Sequence, residues 1–129
     1  MIKSLICFFV ILAGTACAAF AQTKMGDMEF DTIALDMGTF SRDSSVRHAT
    51  FVFRNTGTKK LILYAANPDC PCVSIQLPRK PIRPGAVGKI AVTYDGRNKR
   101  LGGMHHYIYL AVSSVPNNFR IAITGQMTE

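Results

Sequence analysis

The sequence has little cysteine. It contains four cysteines in 129 residues, and two of them, Cys7 and Cys17, lie close to its amino terminus. Only Cys70 and Cys72 occur in the rest of the chain, one residue apart. A single pair so close together cannot form the dense disulfide framework of a small secreted scaffold. The fold must therefore depend on an ordinary hydrophobic core, for which roughly a hundred residues suffice.

Acidic residues are also scarce, with eight against fifteen basic ones. Most of them fall in predicted turns or at strand ends, where acids are common. The sequence offers no Ser–His–Asp pattern in a believable context, no phosphate-binding loop and no carboxylate pair of the glycosidase kind. We therefore predict a protein that is not an enzyme.

The first stretch, MIKSLICFFVILAGTACAAFAQ, has the layout of a secretory signal peptide. Lys3 precedes an uninterrupted apolar run, and Ala19 and Ala21 form an A-x-A cleavage signal. The run is too short and wrongly flanked to be a stable membrane span. We expect a signal peptide over residues 1–21, a single domain over residues 22–129, and an exported protein, periplasmic or extracellular.

Cys17 offers an alternative, in which it becomes a lipid-modified amino terminus and anchors a lipoprotein. The residues before it, GTA, lack the large aliphatic side chain expected upstream of a lipidated cysteine. Cleavage after Ala21 is therefore favoured.

The basic balance bears on partners. An excess of basic residues is typical of proteins that bind nucleic acid. Export argues against nucleic acid as a partner and favours an envelope protein or an anionic envelope polymer. Two basic clusters flank one predicted strand and should lie near opposite ends of the domain, which favours two solvated loops over one anion site. They are Arg79, Lys80 and Arg83, and Arg97, Lys99 and Arg100.

Helical periodicity is missing after residue 22, and strand patterns recur instead. Apolar residues alternate with polar ones in RHATFVFRNTG, GKIAVTYDG, MHHYIYLAVSS and FRIAITG. The stretch KLILYAAN is apolar on both faces, which is typical of a central strand. In MEFDTIALDMG the alternation changes phase between Phe30 and Ile33, which predicts a bulge or kink. The Asn-Thr-Gly after Arg54 predicts a turn in which Gly57 is free to take positive φ.

A short strand over Val73–Gln76 brings the total to about seven strands, joined by Gly, Pro and Asn turns. This pattern predicts an all-β, immunoglobulin-like β-sandwich. The antibody hallmarks are absent, since the chain has no tryptophan and no distant cysteine pair to bridge the sheets.

The order of eight motifs resembles the bacterial family catalogued as domain of unknown function 1573. The resemblance covers roughly Met28 to Gly125, and its most specific marker is a Cys-Gly-Cys, whose positions Cys70 and Cys72 occupy. Here Pro71 replaces the glycine and restricts φ. The resemblance implies export and a sandwich fold, and it brings no established activity. The motifs are DMGTF, FVFRNTG, KLIL, CPC, PIRPG, GKIAVTYD, RLGG and RIAITG.

The cysteine pair itself admits several interpretations. In an extended strand the two Cα atoms would lie about 6.5–7 Å apart, at or beyond the usual limit for a disulfide. A turn would bring them closer, and a disulfide across it would suit thiol exchange better than stability, because so small a loop removes little unfolded-state entropy. The pair could equally form mixed disulfides with another protein, or consist of two small buried residues at a strand end.

A soft metal is the remaining interpretation, since Cys70 and Cys72 are a natural chelate for Cu(I) or zinc. A structural zinc site needs four ligands. Of the histidines, His105 and His106 are adjacent on a predicted strand and face opposite sides. Strand parity places His106 and Met104 on the same side as Ile108, which makes them further candidate ligands. Cu(I), which accepts two or three soft ligands, is favoured over zinc.

These observations predict an exported, non-enzymatic binding module of the cell envelope, which contacts its partner through an unpaired edge strand. The alternative is a thiol-redox or Cu(I)-handling protein that acts through Cys70 and Cys72.

Overall fold

The computed structural model describes residues 23–129, and nine strands account for most of them. Their bounds are β1 Thr23–Met25, β2 Met28–Phe30, β3 Ala34–Ser41, β4 Val46–Asn55, β5 Leu63–Pro68, β6 Val73–Gln76, β7 Val87–Asp95, β8 Gly102–Val112 and β9 Asn118–Thr128. A short 3₁₀ turn over Arg42–Ser44 joins β3 to β4.

The strands form two sheets, which confirms the predicted β-sandwich. One sheet has five strands in the order β1-β2-β4-β7-β6, and the other has four in the order β3-β9-β8-β5. Every pairing is antiparallel except that of β3 with β9, which is parallel. The chain changes sheet between β2 and β3, between β3 and β4, between β4 and β5, between β5 and β6, and between β7 and β8.

Alternate side chains of both sheets fill the space between them, as the period-two patterns predict. Phe51 and Phe53 on β4 are at most 1% exposed, and Ile108 on β8 is fully buried. The Phe30 ring lies 5.6 Å from that of Phe53 and 5.9 Å from that of Phe119, so aromatic contacts bridge the two sheets. Burial of each such side chain contributes about 1.5–3 kcal/mol.

The first predicted strand is in fact two strands, and the bulge predicted between Phe30 and Ile33 is wrong. The chain leaves the five-stranded sheet after Phe30 and enters the other sheet at Ala34, so the change of phase marks a change of sheet. The register of β3 against β9 does shift, but later, between Asp36 and Thr39. Together with β1, this division raises the strand number from seven to nine.

The prediction of a central strand at KLILYAAN is also wrong. Only its part from Leu63 onward lies in β5, the edge of the four-stranded sheet, and Leu61 forms an isolated bridge with Ile82. Leu61 and Leu63 are buried, whereas Ile62 is 40% and Tyr64 is 64% exposed. The apolar residues of the second face therefore lie on the outer surface rather than in a second core.

The Asn-Thr-Gly turn is held by the side chain of Asn55, which is fully buried. Its amide nitrogen donates to the carbonyls of Lys59 and Ile82, each at 2.8 Å, and its amide oxygen accepts from Gly57 N–H at 2.9 Å. Gly57 does not use the positive φ that is open to a glycine. It is required because a Cβ there would lie 2.7 Å from Cγ of Asp27.

Within residues 23–129, no helix has the length and apolarity that a membrane crossing demands. The predicted signal peptide, with Cys7, Cys17 and the cleavage site after Ala21, lies outside the described residues.

Candidate functional site

The cysteine pair lies on a tight turn where the chain passes from β5 to β6, and so from one sheet to the other. The N–H of Val73 donates to the carbonyl of Cys70 at 3.1 Å, which closes a four-residue turn. Pro71 occupies its second position, where a fixed φ near −65° is favoured. The turn brings the Cα atoms of Cys70 and Cys72 to 5.1 Å, and the two sulfurs form a disulfide.

The two cysteines differ in their surroundings. Cys70 is 8% exposed and belongs to the core, whereas Cys72 is only partly buried at its edge. The Cys72 N–H donates to the Cys70 sulfur at 3.2 Å, and the Cys72 carbonyl accepts from Asp95 N–H at 2.8 Å. The second bond fixes the turn to the end of β7. Cys72 is therefore the sulfur that an incoming molecule reaches more easily.

His106 approaches the pair from β8, across the sandwich. Its Nε2 lies 3.8 Å from the Cys72 sulfur, and its ring packs against that of Tyr94 with 5.6 Å between centroids. His105 lies on the other face of β8, where its ring contacts that of Tyr107 at 4.7 Å. The predicted division of the two histidines between opposite faces is confirmed.

Asp69 completes the site and sets the orientation of the imidazole. One of its carboxylate oxygens lies 2.9 Å from Nδ1 of His106, and the other accepts the N–H of Tyr107 at 2.9 Å. The pKa of the Asp69 carboxyl is lowered, chiefly by the hydrogen bond from the Tyr107 N–H and also by His106. Partial burial acts in the opposite direction. An ionised carboxylate only accepts hydrogen bonds. In the neutral form of the imidazole the proton therefore lies on Nδ1, and the lone pair of Nε2 faces the sulfur of Cys72.

The burial of this site is asymmetric. The side chain of His106 is 20% exposed and that of Asp69 is 34% exposed. Tyr94 is 2% exposed, and its burial, with a smaller effect of Asp95, raises the pKa of its phenol. The site is thus buried at Cys70 and Tyr94 and more accessible at Cys72, His106 and Asp69.

Three of the four predicted metal ligands fall in this part of the structure. The sulfurs of Cys70 and Cys72 and a ring nitrogen of His106 lie within 4.8 Å of one another. Met104 shares the face of His106 and packs against the core, and its sulfur lies beside Gly125. His48 lies apart, on β4, where Nδ1 lies 3.0 Å from the hydroxyl of Thr93.

Sequence reasoning missed Asp69 and Tyr94. Asp69 directly precedes Cys70, and this adjacency was the only local signal for it. Its contact with His106 spans 37 positions and depends on the pairing of β5 with β8. Tyr94 ends the alternating stretch GKIAVTYDG and lies in the core, but its place beside His106 depends on how the two sheets face each other.

The basic clusters flank β7, as predicted. Within the second cluster, Arg97 forms an ion pair with Asp95 at 2.7 Å and lowers the pKa of that carboxyl to about 2. Both side chains are well exposed, so the pair contributes little to stability.

A second surface feature lies on the outer face of the four-stranded sheet. The guanidinium carbon of Arg120 lies 4.1 Å above the ring centroid of Tyr107, and Tyr109 lies next to Tyr107 at 6.5 Å. Tyr64 on the edge strand is 64% and Tyr109 is 47% exposed. A shallow cavity of about 410 Å³ lies beside Tyr109 and Arg120. Tyrosine and arginine are enriched at protein interfaces.

Comparison with known families agrees with the motif order of the sequence. Residues 28–127 match the family described as "Protein of unknown function (DUF1573)". The chain belongs to this family. No curated protein matches the chain. Membership in DUF1573 identifies residues 28–127 as a domain of unknown function.

Solved structures that resemble this DUF1573 chain share its fold. A protein of unknown function from Porphyromonas gingivalis W83 is 23% identical with a TM-score of 0.68, over 85% of this chain and 50% of the other. The chain therefore spans half the length of that protein. The PapD-like domain 7 of human CEP192 is 14% identical with a TM-score of 0.60, over 88% and 95% of the two chains. WR4, a C. elegans MSP family member, is 5% identical with a TM-score of 0.56, over 81% and 100%.

Proposed function

We propose that this protein is an exported thiol–disulfide exchange module whose reactive group is the Cys70–Cys72 disulfide. The observation that carries the proposal is the chain of contacts from Cys72 through His106 to Asp69, at 3.8 and 2.9 Å. A sulfur, an imidazole and an orienting carboxylate in this order are the arrangement that activates a cysteine nucleophile. A disulfide that served only as a staple would need neither the histidine nor the carboxylate.

The exchange is a two-electron reaction between the disulfide and a partner dithiol. A partner thiolate attacks the sulfur of Cys72, the S–S bond breaks, and Cys70 leaves as a thiolate that the Cys72 N–H stabilises. The second thiol of the partner, as a thiolate, then attacks the partner's sulfur atom in the mixed disulfide. This step releases Cys72 as a thiolate beside His106. The partner is oxidised to a disulfide and this protein is reduced to a dithiol.

The reverse reaction uses the same contacts. His106 accepts the proton of the Cys72 thiol, the resulting thiolate attacks a partner disulfide, and Cys70 resolves the mixed disulfide. An adjacent imidazolium raises the fraction of thiolate, although a more stable thiolate is a weaker nucleophile. The net gain in rate that we expect near neutral pH is about three- to fourfold.

The experiment compares His106→Ala with His105→Ala in the exported, purified protein. The reduced proteins are mixed with a chromogenic disulfide at pH 7 in the presence of a metal chelator, and the rate of thiolate release is measured. We expect His106→Ala to slow the reaction about three- to fourfold and His105→Ala to react at the rate of the wild type. Equal rates in all three proteins would overturn the proposal.

Two cysteine variants test which sulfur reacts. We expect Cys70→Ser to form a lasting mixed disulfide through Cys72 when it is mixed with a peptide disulfide, with release of one peptide thiolate, because the resolving thiol is gone. Cys72→Ser should form such an adduct far more slowly, since Cys70 is buried. The opposite order would contradict the assignment of Cys72 as the reactive sulfur.

Binding of an envelope component is a second candidate, supported by the exposed tyrosines and Arg120 on the outer face of the four-stranded sheet. Here the partner is a protein or an anionic polymer, as the sequence predicts. We expect Tyr109→Ala and Arg120→Ala to reduce chemical cross-linking of the protein to isolated envelopes. Thr50→Ala, on the outer face of the other sheet, is the matched control, and equal cross-linking in all variants would contradict this candidate.

A further inference from the structure

We infer that the reduced form of Cys70 and Cys72, together with His106, binds one Cu(I) ion. The site exists only after a dithiol or another two-electron reductant has opened the disulfide, because a disulfide offers no thiolate ligand. Cu(I) then replaces the protons of the two thiols without any change in its own oxidation state. The inference uses residues of the proposed exchange site but does not depend on exchange chemistry.

The position of the donors supports a single ion. The two sulfurs and the ring nitrogen of His106 lie within 4.8 Å of one another. They come from two anchored elements, since the Asp95 N–H bond fixes the turn and the pairing with β9 fixes His106 within β8. After reduction the sulfurs separate by rotation about the Cα–Cβ bonds, which requires no movement of the backbone.

Asp69 prepares the histidine for metal binding. Its carboxylate holds Nδ1, so the lone pair of Nε2 points toward the sulfurs. A carboxylate on the far nitrogen is the usual partner of a metal-ligating histidine, and it fixes the tautomer and the ring orientation. The same carboxylate also accepts the N–H of Tyr107, so it is committed to both bonds rather than to the ion.

The donor types select a soft ion. Two thiolates and one imidazole suit Cu(I) or zinc, whereas Mg²⁺ and Ca²⁺ require oxygen ligands. Zinc in a structural site takes four protein ligands, and this cluster supplies three. Burial of Cys70 and the ring of Tyr94 restrict access on one side, which favours an ion that is satisfied by two or three ligands.

The test measures Cu(I) affinity by competition with bicinchoninate under anaerobic conditions. We expect pre-reduced wild-type protein to take one Cu(I) from the chelator, and the oxidised protein to take none. Cys70→Ser and Cys72→Ser should abolish uptake. His106→Ala and Asp69→Asn should each weaken it at least about tenfold, while His105→Ala, on the opposite face of β8, should match the wild type.

Several results would overturn the inference. One is equal Cu(I) uptake by the oxidised and the reduced protein, and another is uptake that survives the loss of either cysteine. The others are an equal loss of Cu(I) affinity in the His105 and His106 variants, and displacement of Cu(I) by one equivalent of Zn²⁺. Circular dichroism of each variant verifies that it is folded. The exchange assay above contains a chelator and no copper, so failure of one proposal is distinguishable from failure of the other.

Discussion

At the scale of single residues, Asp69 connects the turn to the opposite strand. It accepts hydrogen bonds from Tyr107 and His106, and its own N–H donates to the carbonyl of Tyr107 at 3.0 Å. The carboxylate therefore helps to hold β8 against the turn, in addition to its effect on the imidazole.

Asp69→Asn should lower stability in a pH-dependent manner. Folding lowers the pKa of the Asp69 carboxyl. The carboxylate therefore stabilises the protein fully at pH values above about 3.9, the pKa of an Asp in the unfolded chain, and this contribution disappears as the pH falls through the pKa of Asp69 in the folded protein. We expect a loss of about 1 kcal/mol at pH 7, since the side chain is one-third exposed, and a much smaller difference near pH 2. Urea denaturation at both pH values measures it.

Asp31→Asn is the control for this experiment, because Asp31 is an exposed acid far from the turn. A destabilisation of Asp69→Asn that is equal at pH 7 and pH 2 would contradict the role assigned to the carboxylate.

Residue positions within a strand could be predicted from the sequence, but partners across the sandwich could not. Alternation alone divided His105 from His106, because successive side chains on a strand point to opposite faces. The contact of His106 with Asp69 depends on a pairing between β5 and β8, which lie far apart in the chain. No local pattern specifies that register.

At the scale of elements, Gly88 illustrates how neighbouring strands fit together. It lies on β7 directly opposite Phe53 on β4, and the Phe53 ring occupies the space that a Cβ at Gly88 would need. The ring covers the glycine, so the two residues act as one cross-strand pair.

Gly88→Ala should therefore destabilise the protein by about 1–3 kcal/mol, the usual cost of overpacking. Gly103→Ala on β8 is the matched control, because a Cβ there makes only ordinary contacts, with Oε1 of Gln126 at 3.5 Å and the carbonyl of Gly125 at 4.0 Å. Thermal denaturation of both variants tests the prediction. Equal melting temperatures for the two would show that the Phe53 ring moves aside without cost.

Asn55→Ala should also be destabilising, since it removes three hydrogen bonds made by a fully buried side chain. A polar group that loses its partner costs about 1–3 kcal/mol, and less where water replaces the partner, so we expect a total loss of about 3 kcal/mol. Asn118→Ala, on an exposed strand end, should change stability by less than about 0.5 kcal/mol. Chemical denaturation compares the two, and a similar small effect in both would refute the role of Asn55.

The alternation of buried and exposed residues made most strands predictable, whereas their places in the sheets were not. β4, β7, β8 and β9 coincide with the patterned stretches. The segment that contains most of β5 is apolar on both faces. A central strand has this pattern, and so does an edge strand whose outer face carries exposed apolar residues. The sequence also contains no mark that separates a bulge from the change of sheet after Phe30.

At the scale of the whole molecule, the core and not the disulfide holds the sandwich together. The cysteine pair closes a loop of three residues, so its loss should reduce stability by no more than about 2 kcal/mol. We expect protein reduced with dithiothreitol to stay folded, with a melting temperature lowered by only a few degrees. Calorimetry with and without the reductant measures this, and unfolding on reduction would assign the disulfide a structural role instead of a reactive one.

The candidate site depends on the whole sandwich because its parts come from both sheets. Cys72 and Tyr94 belong to the side of β6 and β7, and His106 belongs to β8. The fold class could be predicted from strand number and turn residues, and the cysteines from their spacing. Their assembly with His106 follows only from the packing of one sheet on the other.

The parallel pairing of β3 with β9 determines how the protein responds to mechanical force. The chain enters β3 at Ala34, at one end of this pair, and leaves β9 at Thr128, at the other. A pull between these two points acts along the strands, in shear, and loads all the hydrogen bonds between them at once. The antiparallel hairpin of β8 and β9, pulled from its open end, instead unzips one bond at a time. The pairing of β3 with β9 therefore resists tension between Ala34 and Thr128 better than the hairpin of β8 and β9 resists tension at its open end.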